Sequence, residues 1–329
     1  MLAILGVCLL AGCGAQHDQA RGGAESNPGV LVTGGVLEPV PKAPPGEQTP
    51  WHPPTSYYAL RPNGTVARKL EGFTSLDFEV DFSSDGELAV MSSSDGIVVS
   101  RPDGTDRHSV PLPKNAIAEA PALSPDGKTV ALAYTPDPES SDSDLWTVSV
   151  DGSHLRRLTT ALNVLSSAWS PDGKRLAFVD ASRVETSSSG AVGDLYVVGV
   201  DGSDLHQVAR SFTGFGREVA WSSDGKRLAF EDARQRIVTT DPDGGAPEVV
   251  ADDGESPAWS LDGTRIAFLR IKDCGRYVAC VRSTVVIADV ASGKEHPVGP
   301  KFGEPVSLSW IPDRSPATQS SGAAARPSS

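Results

Sequence analysis

The sequence predicts an all-β chain folded as a six-bladed β-propeller, and three repeated features carry that prediction. The first is a turn that recurs six times: Ser84-Asp85-Gly86, Pro125-Asp126-Gly127, Pro171-Asp172-Gly173, Ser223-Asp224-Gly225, Leu261-Asp262-Gly263 and a degenerate Pro312-Asp313. The second is a large apolar residue three positions before each Asp: Phe82, Leu123, Trp169, Trp221, Trp259 and Trp310. The third is a second turn upstream of each of these, at Asn63-Gly64, Asp103-Gly104, Asp151-Gly152, Asp201-Gly202, Asp243-Gly244 and Ser292-Gly293. Successive aspartyl turns are 41, 46, 52, 38 and 51 residues apart, around the length of a four-stranded blade and not of a helical repeat.

The second turn precedes its aspartyl turn by 22, 23, 21, 23, 19 and 21 residues. The variable length therefore lies between the apolar run after one aspartyl turn and the start of the next unit. Ser-Pro-Asp-Gly puts Pro at the second turn position and Gly at the fourth, the preference of a type I turn followed by a positive-φ residue. Asp-Gly is a tighter hairpin signal still. Each repeat thus holds two hairpins.

One repeat reads in order as an inner strand (Ala168-Trp169-Ser170), the aspartyl turn, a second strand (Arg175 to Phe178), a loop, a third strand (Leu195 to Val198), the Asp-Gly turn and an outer strand (Leu205 to Val208). Leu145 to Val150 and Thr284 to Ala288 show the same alternating or continuous apolar writing, and no stretch shows a helical stripe. The two short turns share one face. The variable loops, residues 135 to 144, 180 to 194 and 270 to 283, fall on the other face with the crossovers, and recognition is expected there. The first clear strands, Tyr57 to Leu60 and Val66 to Leu70, are an outer half-blade, while Ser307 to Trp310 is an inner strand. The two ends are therefore expected to share a blade, with Val30-Leu31-Val32 as its missing strand, which leaves no exposed sheet edge.

Trp-Ser-Pro-Asp-Gly followed by Lys/Arg-Leu/Ile-Ala-Phe, with the intervening Asp-Gly and Arg156-Arg157-Leu158-Thr159, resembles the TolB-like group of WD-type β-propeller repeats over roughly residues 57 to 312. The resemblance implies a six-bladed ring that acts as a binding platform. It does not imply membership in a Tol-type complex. TolB carries an additional α/β domain before its propeller, whereas the segment preceding the repeats here is Pro- and Gly-rich.

At the amino terminus an apolar run from Leu2 to Leu10 leads into Leu10-Ala11-Gly12-Cys13, which resembles the lipobox of bacterial lipoproteins. The run is too short to span a bilayer. The expected division is a lipoprotein signal peptide at 1–12, a lipid-attached flexible tether at 13–56 beginning with lipidated Cys13, the propeller at 57–313 and a disordered tail at 314–329. No Lys or Arg precedes the apolar run, so the true start codon is expected upstream.

Lys and Arg number 29 against 42 Asp and Glu, a formal charge of −13. That balance argues against nucleic acid and anionic lipid surfaces as partners. Membrane contact is expected through the lipid alone, and a closed ring needs no second copy, so a monomer is expected. Of 4 Cys, Cys8 lies in the signal, and Cys274 and Cys280 are expected to pair as a disulfide in an oxidising extracytoplasmic compartment. No further Cys or His stands near them to complete a zinc site.

Catalytic signatures are absent from the sequence: there is no Gly-x-Ser-x-Gly elbow, and the hydrolase domain that follows a propeller in prolyl oligopeptidases is not present in this chain. His108, His154 and His206 fall just after Asp-Gly turns and read as exposed turn residues. The repeated Asp85, Asp126, Asp172, Asp224 and Asp262 read as structural, their carboxylates accepting backbone N–H groups two residues on. Counting back six or seven residues from the turns gives Glu79, Glu119, Glu218 and Glu255, with Glu304 further out. These glutamates are either solvated loop ends or an acidic ring at the channel mouth, suited to calcium or a basic partner segment. The function expected is a non-catalytic, lipid-anchored platform in the cell envelope for a protein, peptide or polymer, with no cofactor. The alternative is a lactonase-, lyase- or glycosidase-like enzyme using that acidic mouth.

Overall fold

The structure, a computed structural model, describes residues 29–35, 56–73, 78–140, 142–160, 162–182, 192–213, 219–273, 281–299 and 308–313. β1 (Val30–Gly35), β2 (Ser56–Leu60) and β3 (Val66–Leu70) come first. Blade 1 holds β4 (Phe78–Phe82), β5 (Ala89–Ser93), β6 (Gly96–Ser100) and β7 (His108–Ser109). Blade 2 holds β8 (Ile117–Leu123), β9 (Thr129–Thr135), β10 (Asp144–Ser149) and β11 (Arg156–Arg157). Blade 3 holds β12 (Val164–Trp169), β13 (Arg175–Asp180), β14 (Val192–Gly199) and β15 (His206–Thr213). Blade 4 holds β16 (Ala220–Trp221), β17 (Leu228–Glu231), β18 (Ile237–Thr240) and β19 (Glu248–Ala251). Blade 5 holds β20 (Glu255–Trp259), β21 (Arg265–Asp273), β22 (Val281–Asp289) and β23 (Glu295–Pro297), and β24 (Leu308–Ile311) is last.

β24 pairs β1, and β1 pairs β2, so the closing blade has the order β24-β1-β2-β3. Val30, Leu31 and Val32 face Ile311, Trp310 and Ser309. The two ends of the chain share a blade as the sequence predicts. One boundary changes: β1 lies within 13–56, so that stretch is not tether throughout, and the propeller begins before residue 57.

Among the described residues the core is six clusters, one per seam between blades. Leu176 and Phe178 pack in the cluster between blades 2 and 3, while Ala177 and Val179 of the same strand pack in the cluster between blades 3 and 4. A strand buried on both sides needs apolar residues at both phases of its two-residue period. That is why Leu-Ala-Phe reads as a continuous apolar run. Burying a side chain such as Phe178 or Leu176 contributes about 1.5–3 kcal/mol. The small member of each run makes room for the next blade: Ala177 shares a cluster with Trp221, Ala229 with Trp259 and Ala267 with Trp310.

The five aspartyl turns are near copies. The Ser two residues before each Asp donates its hydroxyl to Asp Oδ1 at 2.7 Å, from Ser83 to Asp85, Ser124 to Asp126, Ser170 to Asp172, Ser222 to Asp224 and Ser260 to Asp262. In blade 3 the same Asp172 oxygen accepts the Lys174 N–H at 3.1 Å, and Ser170 Oγ accepts the Arg175 N–H at 2.9 Å. The turn glycines all have φ between +68° and +69°, a region that residues with a Cβ adopt only rarely. The Lys174 carbonyl accepts the Val200 N–H at 3.0 Å, which joins the blade's two turns on one face.

The Asp-Gly turns also stitch blade to blade. A Cβ on Gly152 would lie 2.6 Å from the Pro111 carbonyl oxygen of the preceding blade, and one on Gly64 would lie 2.4 Å from the Gly299 nitrogen. Arg156 of blade 2 donates to the Val200 and Asp201 carbonyls of blade 3. Nε2 of His206 lies 3.0 Å from the Pro242 carbonyl of blade 4.

Candidate channel site

The inner strands β4, β8, β12, β16, β20 and β24 surround a cavity of about 670 Å³. Its wall carries the four tryptophans together with Phe82 and Leu123, and Pro125, Pro171 and Leu261 approach it from the turns. The tryptophans fix the wall. Trp169 Nε1 donates to the Ala122 carbonyl at 3.0 Å, Trp221 Nε1 to Ala168 at 3.1 Å and Trp310 Nε1 to Ala258 at 3.2 Å. Each bond runs from one blade to the residue four positions before the Asp of the preceding blade. Trp259 Nε1 is buried and has no hydrogen-bond partner among the described residues. Arg175 of blade 3 stacks over Trp221, with the guanidinium carbon 4.9 Å from the ring centre.

At the seam between blades 1 and 2, Leu123 stands where four of the other blades have Trp and brings no indole N–H. Here the bond comes from the opposite side, since Asp81 Oδ2 accepts the Leu123 backbone N–H at 2.9 Å. Asp81 occupies the position that Ala122, Ala168, Ala220 and Ala258 fill elsewhere. Burial pushes its pKa up to about 6, against the pull of the Leu123 and Phe82 N–H groups. Two residues earlier, Glu79 Oε2 accepts the Ala120 N–H at 2.8 Å and the Ser92 hydroxyl at 2.9 Å.

Of the five glutamates that the sequence groups at the channel mouth, the structure describes three and sets Glu79 apart from Glu119 and Glu255. Glu79 lines the cavity, but its carboxylate is engaged with Ala120 and Ser92. Glu119 is exposed, and neither it nor Glu255 belongs to the cavity wall. Burial raises the Glu255 pKa to about 7. The physical reason is a bulge. Glu79, Ala120 and Ser256, each six residues before the turn Asp, have φ of +52°, +50° and +52°, and the pairing register shifts there in all three blades. A residue counted back by seven lies one step beyond that bulge, and one step along a strand exchanges its two sides. Glu218 and Glu304 lie outside the described residues, as do Cys13, Cys274 and Cys280. Among the described residues, no group of three or more His, Cys, Asp or Glu side chains gathers as a metal site.

Two features, one in the turns and one in the wall, go beyond the residues singled out from sequence. The Ser two positions before each turn Asp recurs in five repeats, and that recurrence was its signal. Asp81 had a signal too, as an acid where four repeats have Ala.

No family model matches the sequence. Over 62 residues the chain is 45% identical to dipeptidyl-peptidase 5 of Porphyromonas gingivalis, covering 18% of this chain and 9% of that protein. Over 97 residues it is 31% identical to the Tol-Pal system protein TolB of Anaeromyxobacter dehalogenans, covering 30% of this chain and 20% of that protein. The matched segments thus span a fifth or less of these relatives' lengths. Among solved structures, the fold matches a chain of a nidogen/laminin complex with TM-score 0.60 at 13% identity, over 85% of this chain and 98% of that one. It matches TolB from Acinetobacter baumannii with TM-score 0.60 at 16% identity, over 86% and 67%. It matches a putative TolB from Agrobacterium tumefaciens with TM-score 0.58 at 19% identity, over 72% and 86%. Identities this low establish architecture and leave activity open. The chain is a six-bladed β-propeller of the architecture seen in these TolB structures.

Proposed function

We propose that this propeller is a lipid-anchored, extracytoplasmic binding platform that engages a protein or peptide on its loop-rich face, without catalysis. The observation that carries the reading is the inequality of the two faces. One face is built from five near-identical Ser-x-Asp-Gly turns and their Asp-Gly companions. The other carries the long connections, those that follow β13, β15 and β21 among them, and toward it the strands extend to Val192 opposite Thr213 and to Asp273 opposite Val281. A scaffold that keeps one face uniform and varies the other places recognition on the variable one. The lipobox-like Leu10-Ala11-Gly12-Cys13 supports the anchor, and the likeness to proteins named TolB supports an envelope role.

Site-specific photo-crosslinking in cells tests the reading. A crosslinker at Asp137 or Asp252, both exposed on the loop-rich face, is expected to capture a discrete protein adduct, while one at exposed Lys128 on the turn face is not. Adducts confined to Lys128, or none from the loop-rich face, would sink the proposal.

A further inference from the structure

The closing blade differs from the other five at one point. In blades 1 to 5 the inner strand passes into the second strand through an unbroken aspartyl turn. In the closing blade the turn is cut: β24 leaves through Pro312-Asp313, and β1 enters through Gly29-Val30. The pairing across the cut is the same as in an intact blade, since Leu31 faces Trp310 as Leu176 faces Trp169. Gly29 fits the entry point closely. Its φ is +84°, and a Cβ there would lie 2.5 Å from the Ile311 carbonyl oxygen and 2.9 Å from the Leu261 side chain. On the other side, a Cβ on Gly86 would lie 3.2 Å from Ile311 and 3.3 Å from Pro312. The chain therefore both enters and leaves the ring on the turn face, between the aspartyl turns of blades 5 and 1. Residues 36–55, which join β1 to β2, connect strand ends on the opposite face.

Cys13 precedes Gly29 by 16 residues. Fully extended, that segment reaches about 55 Å, and as a flexible coil it averages about 22 Å. Strands of five or six residues hold the two faces on the order of 20 Å apart, and four strands at about 4.8 Å spacing carry each blade roughly 20 Å out from the channel. To turn the loop-rich face to the bilayer, the tether would have to leave the channel rim, cross the turn face and descend the outer wall, a path of about 40 Å, nearly twice its average span as a coil. We propose that lipid at Cys13 holds the propeller with its turn face toward the membrane and its loop-rich face toward the aqueous compartment. This orientation rests on the lipid-anchored reading above. It adds that the recognition face points away from the bilayer that carries the protein.

The test uses the full-length lipidated protein in phosphatidylethanolamine–phosphatidylglycerol vesicles containing a headgroup-nitroxide lipid. Fluorophores are attached at Lys226→Cys on the turn face and Glu139→Cys on the loop-rich face, both exposed positions, with Cys274 and Cys280 replaced by Ser. Nitroxide quenching at 226 is expected to exceed that at 139 at least twofold. Equal or reversed quenching on a protein whose Cys13 carries its lipid overturns the orientation. Absence of the acyl mass on the Cys13 peptide, or vesicle flotation unchanged by Cys13→Ser, removes the anchor and the orientation with it, and the mass spectrum tells this outcome from the previous one. Should the Ser replacements unfold the ring by circular dichroism, the pair Asn63→Cys and Asp137→Cys in the wild-type background carries the same comparison.

Discussion

The indole Nε1 of Trp221 donates to the carbonyl of Ala168, 3.1 Å away in the preceding blade, whereas Trp259, buried to the same 7% exposure, lacks this bond. Replacing each by Phe removes similar ring area, but only Trp221→Phe strands a carbonyl. We expect Trp221→Phe to cost about 1 kcal/mol more than Trp259→Phe in chemical denaturation. Equal costs would show that the indole bond contributes nothing to the seam.

Asp81→Asn is expected to stabilise the protein at neutral pH. The folded carboxyl keeps its proton up to about 6, against an ordinary 3.8. Folding is therefore progressively disfavoured as pH rises between these values, and the full cost persists above them. Asn is neutral throughout and still accepts the Leu123 N–H. Its gain should be on the order of 1–2 kcal/mol at pH 7.5 and near zero at pH 4, measured by thermal melts across that range.

The turn aspartates act in the opposite sense. The Ser hydroxyls first, then backbone N–H groups, hold Asp126, Asp172 and Asp224 below the usual carboxylate range. Their contribution is present above the ordinary carboxylate pKa and is lost as pH falls through the depressed folded values. Ser170→Ala removes two bonds at one turn. It should cost about 1–2 kcal/mol at pH 7 and flatten the acid limb of the stability profile.

Gly152→Ala and Gly293→Ala separate backbone strain from collision. Both glycines have positive φ, +83° and +66°, but a Cβ at 293 meets nothing within 4 Å, while one at 152 meets Pro111. The costs expected in urea titrations are about 1 kcal/mol at 293 and about 3 kcal/mol at 152.

Most of the ring was legible in the sequence because each blade repeats the same turn chemistry, and Asp-Gly and Ser-Pro-Asp-Gly report turns locally. Closure was legible as well, since Ser307 to Trp310 needed a partner and Val30-Leu31-Val32 was the available apolar segment. The degenerate last turn, with Ile311 where five repeats have Ser, was the mark of a cut turn that needs no serine. Among the described glutamates, Glu79 lines the cavity and Glu119 and Glu255 do not, for a physical reason. A bulge at Glu79, Ala120 and Ser256 cannot be seen in residue types, because Glu, Ala and Ser share only a backbone conformation there. Strand lengths were also underestimated: β14 and β15 run to eight residues each where four were read.

The cut turn also sets how the ring responds to force. β1 and β24 are antiparallel neighbours whose free ends emerge side by side. Tension between those ends loads the backbone hydrogen bonds of the β1–β24 pair one after another, as in a zipper, and not all together as in shear. The propeller should therefore yield first at this seam under a pull on its termini, with the other five blades intact, and close again when the load is released.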